Sequence, residues 1–223
     1  MDRTDISQEP ASAFGAMDRM YRFQRYFYDA TRKFYLLGRD RLLSEMEIMP
    51  GQNVLEAGCG TGRNLLMLAR RHRDTRFFGL DASSVMLETA EAKAVAKRLE
   101  NVSYNVALAD DFSYDKTFGL AEPFDIIYFS YSISMIPPWR ESIENALKNL
   151  KPGGSLYIVD FYDQKGLPAW FRWLLTQWLR LFKVEYPEML LPFFDELSLR
   201  GAGDVSVITL YGRYCLIVKL VKN

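Results

Sequence analysis

One histidine, His72, and two cysteines, Cys59 and Cys215, are all the imidazole and thiol ligands that 223 residues offer. Zinc sites draw on clustered His, Cys and carboxylate ligands, so no metal centre is expected. Two cysteines also make no disulfide framework and fit a reducing compartment. Charge of one sign is missing as well: 28 Lys and Arg balance 28 Asp and Glu. Nothing global therefore points to nucleic acid. There is no uncharged apolar run long enough to span a bilayer and no secretory core near Met1. Repeats and low-complexity tracts are absent too. What is left is an ordinary globular composition, 49% hydrophobic and 25% charged, enough for one domain with a sizeable core.

Within that composition one stretch dominates. Asn53 to Ala57 predict a short buried strand, and Gly58, Gly60 and Gly62 force a tight turn after it. Arg63 to Arg71 follow as a helix with Leu65, Leu66, Leu68 and Ala69 inward. Strand, glycine turn and helix N-terminus make a nucleotide cradle. The glycines permit positive φ and let a ligand approach the backbone. A dinucleotide fingerprint is G-x-G-x-x-G, but here the run is G-x-G-x-G, and Arg63 stands where the third dinucleotide glycine would fall. Glu56 precedes the turn. A carboxylate there repels a pyrophosphate but accepts hydrogen bonds from a cationic amino-acid ligand.

Glu56-Ala-Gly-Cys-Gly-Thr-Gly62 resembles motif I of the class I S-adenosylmethionine (SAM)-dependent methyltransferases. The resemblance runs over roughly Asp40 to Asn223. It implies an α/β fold: a Rossmann-like seven-stranded sheet, mostly parallel with one antiparallel strand, helices on both faces and an N-terminal helical lid. It implies SAM as cofactor, with residues 1–43 as tail and lid and 44–223 as the SAM-binding domain. Arg76 to Asp81 predict a second strand, and Asp81 lies about twenty residues past the glycines, where a βαβ unit places an acid on ribose hydroxyls. Ala82 to Leu99 predict a helix capped by Ser83 or Ser84, with Met86 near the adenine. After a third strand, Val102 to Ala107, either Asp110 or Asp111 stands where the family's acid accepts the adenine amino group, followed by Phe112. The cofactor set that the resemblance implies is completed by Tyr35, Arg39, Gly58, Cys59, Gly60, Asn64, Ala82 and Ser130.

The remaining chain reads as follows. Met1 to Ala13 predict a mobile tail. Met17 to Leu43 predict a helix broken near Gly38, in which aromatics such as Tyr21, Tyr26, Tyr28 and Tyr35 alternate with arginines. It serves as an amphipathic cap on the sheet or as a lid that meets an anionic surface, and the two are compatible. Phe124 to Tyr131 predict a fourth strand, nearly continuous in apolar residues and so buried on both faces. Its end, Ser130-Tyr131-Ser132, is expected over the methyl-transfer site. Lys151-Pro-Gly-Gly154 predicts a turn before a fifth strand, Ser155 to Phe161. In Leu167 to Lys183, Arg172, Thr176, Arg180 and Lys183 share one helical face amid apolar residues and three tryptophans. That pattern fits a membrane-interface helix as well as a cover for the sheet. A closing hairpin is expected over Asp204 to Leu210 and Arg213 to Val221, and His72 is expected to be exposed.

Tyr28 to Arg41, Gly60 to Leu65 and Phe129 to Trp139 are together similar to the N-methyltransferases of betaine-lipid synthesis. That resemblance implies transfer of three methyl groups to the amine of diacylglyceryl-homoserine, giving diacylglyceryl-trimethylhomoserine. Bacterial phosphatidylethanolamine N-methyltransferases are close relatives of that family and give the runner-up reading; a small-molecule O- or N-methyltransferase whose aromatic segments only pack, and a non-catalytic SAM-binding module at a membrane, are the other two readings. The betaine-lipid resemblance further implies a cytoplasmic enzyme held peripherally at the membrane surface, with a lipid amine as its partner. The nucleophile must be the neutral amine, and such amines are mostly protonated at neutral pH. Desolvation lowers an ammonium pKa, and aromatic faces tolerate the fixed cation that forms. Tyr26, Tyr28 and Tyr131 are the catalytic candidates.

Overall fold

The structure is a computed structural model and describes residues 35–181, 184 and 186–223. Seven strands form one sheet in the order β3-β2-β1-β4-β5-β7-β6. β1 (Asn53–Ala57), β2 (Arg76–Asp81), β3 (Val102–Val106), β4 (Phe124–Ser130) and β5 (Leu150–Phe161) run parallel. β7 (Cys215–Lys222) is inserted antiparallel between β5 and β6 (Gly203–Leu210). This is the mostly parallel sheet with one antiparallel strand that the sequence predicts.

Side-chain alternation divides the core. Val54, Ile126, Tyr128, Tyr157 and Val159 face one layer, and their neighbours Leu55, Ile127, Phe129, Leu156 and Ile158 face the other. The period of two, with both faces apolar, is what a parallel sheet covered on both sides requires. The first layer is supplied by α1 (Arg39–Glu45), α2 (Arg63–Arg71), α3 (Ser84–Ala96) and α5 (Ala169–Leu181), and the second by α4 (Trp139–Lys148) and α6 (Leu190–Leu199).

The break expected near Gly38 is present. Gly38 has φ 83° and a Cβ there would sit 2.9 Å from Cys215 Sγ, so the helix restarts at Arg39. The rest of the expected lid, with Tyr26 and Tyr28, lies outside the described residues. Ser83, not Ser84, caps α3.

Two expectations need correction. Lys151 to Gly154 is not a turn ahead of β5 but a bulge within it. Leu150 already pairs with Phe124, and the register then jumps to Ser155 opposite Ile126. Gly153 at φ 75° absorbs the extra residues, and Lys151 Nζ anchors them on Asp125 Oδ1 at 3.0 Å. His72 is half-buried rather than exposed: it ends α2, and its carbonyl accepts a bond from Asn101 Nδ2.

Candidate active site

Strand order reverses between β1 and β4, which opens a crevice at their carboxyl ends. The sequence closes that crevice tightly. Ser132 Oγ donates to the Ala57 carbonyl at 2.9 Å, and a Cβ on Gly58 would lie 2.6 Å from Ser132 Cβ. Gly58, at φ 74°, is thus required both by its backbone and by its neighbour. The amides of Gly58 and Cys59 both donate to Leu80 O at 2.9 Å, seating the turn on β2.

Asp81 links the two loops at this edge. Its Oδ2 accepts the Gly60 amide at 2.8 Å and its Oδ1 accepts the Ser83 amide at 2.9 Å. Ala82 lies half-buried between them, and Met86 is buried one helical turn further on. Beneath the turn, buried Glu56 accepts a bond from buried Asn64 Nδ2 at 2.6 Å. Burial pushes the Tyr128 hydroxyl well above its ordinary pKa, and the nearby Glu56 charge adds to the shift. Burial raises the Cys59 thiol strongly, with Asp81 and Glu56 pushing the same way, so it stays protonated and is no nucleophile.

These groups surround a cavity of about 160 Å³ lined by Leu36, Arg39, Glu56, Gly58, Cys59, Thr61, Arg63, Asn64, Lys93 and Ser130. Its size is below the roughly 300 Å³ at which small-molecule pockets begin, so it suits one end of a ligand. Ser130 Oγ is buried there without a hydrogen-bond partner among the described residues. The structure therefore brings together Arg39, Glu56, Gly58, Cys59, Asn64 and Ser130 of the expected set. Leu36, Thr61, Arg63 and Lys93 escaped sequence reasoning, and only Arg63, at the displaced glycine position, carried a signal.

Other expected residues lie apart from this cavity. Tyr35 rests edge-on against Trp178 at 4.4 Å, and its carbonyl accepts from Tyr214 Oη at 2.7 Å. Asp110 is half-buried and Asp111 exposed, while Phe112 is buried in the second core layer. Tyr131 is buried at φ 56°, packs on Phe161 at 4.7 Å and donates its hydroxyl to the Leu37 carbonyl. Burial pushes its pKa well up.

Beyond Phe161 opens a larger groove of about 740 Å³ between the end of β5, α5 and the β6–β7 turn. Its lining mixes Tyr162 and Tyr186 with Asp163, Glu188, Arg180 and Arg213. Arg213 pairs with Asp163 and lies 4.6 Å over the Tyr162 ring. That pairing holds the Asp163 carboxyl below its ordinary range. Thr176 and Arg180, read from sequence as part of a basic helical stripe, line this groove.

A methyltransferase domain model matches residues 54–154, which are the cradle, both acidic strand ends and the β5 bulge. Residues 54–154 carry a methyltransferase domain. Its sequence is 25% identical over 164 residues to a demethylmenaquinone methyltransferase of Listeria monocytogenes, covering 70% of this chain and 67% of that protein. It is 30% identical over 142 residues to the 2-phytyl-1,4-naphtoquinone methyltransferase of Trichormus variabilis, with 60% of each covered. A SAM-dependent methyltransferase from Aquifex aeolicus has the same fold, with TM-score 0.62, 20% identity, and 99% and 100% of the two chains covered. Among the described residues of the methyltransferase there is no group of His, Cys, Asp or Glu that could hold a metal. None of its described helices is long and apolar enough to cross a membrane.

Proposed function

We propose that this methyltransferase acts on the amine of a lipid head group, converting diacylglyceryl-homoserine to diacylglyceryl-trimethylhomoserine. The observation that carries this reading is the 740 Å³ groove, whose wall begins at Phe161, the ring that packs on Tyr131. Its aromatic walls and mixed charges suit a zwitterionic amino-acid head, and the two quinone methyltransferases similar to this chain, one named for a phytyl-bearing acceptor, point to lipid-like acceptors.

SAM supplies an activated methyl group on a sulfonium. In this reading Glu56, Asn64 and Ser130 hold its amino-acid end, the unpartnered Ser130 Oγ being an open polar position for it. Asp81 receives the ribose hydroxyls, and Met86 with Asp110 or Asp111 borders the adenine. Arg39, Gly58 and Cys59 shape the walls at that end, Gly60 and Ala82 flank Asp81, and Tyr35 and Phe112 support the site from the core rather than line the cavity. No strong acid is needed, because the leaving thioether is neutral. The chain's task is to bind the amine uncharged, exclude water and align it, and alignment supplies most of the rate. Asp163 is held ionised by Arg213 but is already bonded to it, so the rate is expected to follow the amine's own ionisation and rise with pH. Tyr26, Tyr28 and Tyr131 remain the proposed aromatic neighbours of the ammonium product.

A peripheral position at a cytoplasmic membrane surface belongs to the same reading, since Trp170, Trp173 and Leu174 are exposed along α5. The quinone relatives favour a second reading, methylation of a lipophilic quinone carbon. Purified protein given methyl-labelled SAM and vesicles carrying diacylglyceryl-homoserine, phosphatidylethanolamine or demethylmenaquinone separates them by lipid mass spectrometry. Mono-, di- and trimethylated homoserine lipid is expected. Label found only in the quinone or only in phosphatidylethanolamine rejects the proposal.

A further inference from the structure

A groove of about 530 Å³ runs over the outer surface of α2 and α3. Arg63, Arg70, Arg71, Lys93 and Lys97 line it, with Leu66 and Met67 as its floor and no acid among them. In a chain of zero formal charge this is a segregation of cations onto one face. Arg70, Arg71 and Lys97 are exposed and make no ion pair with a described residue. The acids of α3, Glu88 and Glu91, do not line the groove.

We propose that this groove seats the phosphates of anionic phospholipids and, with the tryptophans of α5, forms the face by which the protein docks on a membrane. The proposal deepens the membrane reading above and assigns the head-group contacts to residues not previously given a role. α2, α3 and α5 pack on the same face of the sheet, so their outward surfaces point to the same side. On α5, Phe171, Leu175, Trp178 and Leu179 turn inward, leaving Trp170, Trp173 and Leu174 exposed at 69%, 65% and 54%. Exposed aromatics and clustered cations on the same side of the sheet are the composition of an interfacial surface.

The alternatives fit less well. The groove floor is aliphatic and offers no ring on which a base could stack. A net-neutral chain lacks the overall basic charge typical of nucleic-acid binders. Arg63 and Lys93 also line the 160 Å³ cavity, so docking through the groove brings the crevice up to the lipid head groups.

The test uses the full chain and the variant Arg70→Glu with Arg71→Glu and Lys97→Glu, none of which lines the cavity. Co-sedimentation is measured with phosphatidylglycerol-containing vesicles, with pure phosphatidylcholine vesicles and with a duplex RNA. Wild type is expected to pellet with the anionic vesicles, less so as salt rises, and the variant to bind them about tenfold or more weakly. Circular dichroism and SAM calorimetry are expected to match wild type. Should the triple variant misfold, Arg70→Gln with Lys97→Gln is expected to show a smaller loss in the same direction. Equal binding by folded variant and wild type overturns the proposal. So does a wild type that ignores anionic vesicles, or one that prefers the RNA. A wild type that docks through this groove but methylates no lipid amine leaves the docking face standing and removes the substrate reading instead.

Discussion

Asn64 Nδ2 donates a 2.6 Å hydrogen bond to Glu56 Oε1, tying the second residue of α2 to β1 across the glycine turn. Both side chains are buried, so neither partner can turn to water for a substitute. Asn64→Leu removes the donor and is expected to cost about 1–3 kcal/mol of stability. SAM binding should weaken with it, because Glu56 loses the contact that aims it. Denaturant unfolding and calorimetry measure the two effects, and a variant unchanged in both would mean that the clamp is ornamental.

Gly58 and Ser132 form a steric pair that a double-mutant cycle can resolve. Gly58→Ala adds left-handed strain of about 1–2 kcal/mol and a clash with Ser132 Cβ of about 1–3 kcal/mol. Placing Ser132→Gly beneath it should recover the clash and leave the strain. Additive effects of the two substitutions would show that the 2.6 Å approach carries no energy.

Asp81 bridges the glycine turn and the start of α3, so its removal should act on shape and ligand together. Asp81→Ala is expected to weaken SAM by roughly 1–3 kcal/mol, the scale of unpaired buried polar groups. Asp81→Asn keeps the volume but sets an amide against the Gly60 or Ser83 N–H, and should fall between. A dissociation constant equal to wild type in Asp81→Ala would move the ribose contact elsewhere.

Asp160 ends β5 fully buried, accepting the amides of Ser134 and Phe161, and burial pushes its pKa up to about 6. A raised carboxyl pKa means that the folded protein holds this proton more tightly than the unfolded chain does. Its contribution is therefore fully present below the ordinary carboxylate pKa and is lost as pH rises through about 6. The stability of wild type relative to Asp160→Asn should fall by roughly 2 kcal/mol between pH 4 and pH 8. Urea unfolding of both proteins across that range checks it, and a flat difference would deny the shift.

The tryptophans of α5 should behave in two classes. Trp170→Glu with Trp173→Glu changes exposed positions and should leave helicity and melting temperature near wild type. Trp178→Glu places a charge against Tyr35 and the first core layer and should cost several kcal/mol. If circular dichroism shows the exposed pair to be the more damaging, α5 packs by its other face.

The cradle was legible in the sequence because it is local. The apolar run Val54–Leu55, three glycines and the leucines of α2 lie within one βα unit, and β1, α2 and β2 take their expected limits. The cavity was only half legible. Lys93 reaches it from α3 and Leu36 from the segment before α1, positions fixed by packing rather than by any nearby pattern. The groove was not legible, since Asp163 and Arg213 meet across fifty residues. Lys151 to Gly154 misled for the reverse reason: a proline and two glycines signal a turn, yet tertiary pairing of Leu150 with Phe124 draws them into the strand.

Two phenols latch the segment from Tyr35 to Leu37. Tyr131 bonds the Leu37 carbonyl and Tyr214 bonds the Tyr35 carbonyl, one on either side of Leu36, which walls the cavity. Swinging that wall aside breaks both bonds, at a net cost of about 1–3 kcal/mol. At thermal equilibrium such a gate stands open in roughly one molecule in five to one in a hundred and fifty. Cofactor exchange would then wait on the latch, and loosening Tyr214, which has no part in the proposed chemistry, would hasten turnover wherever product departure is slow.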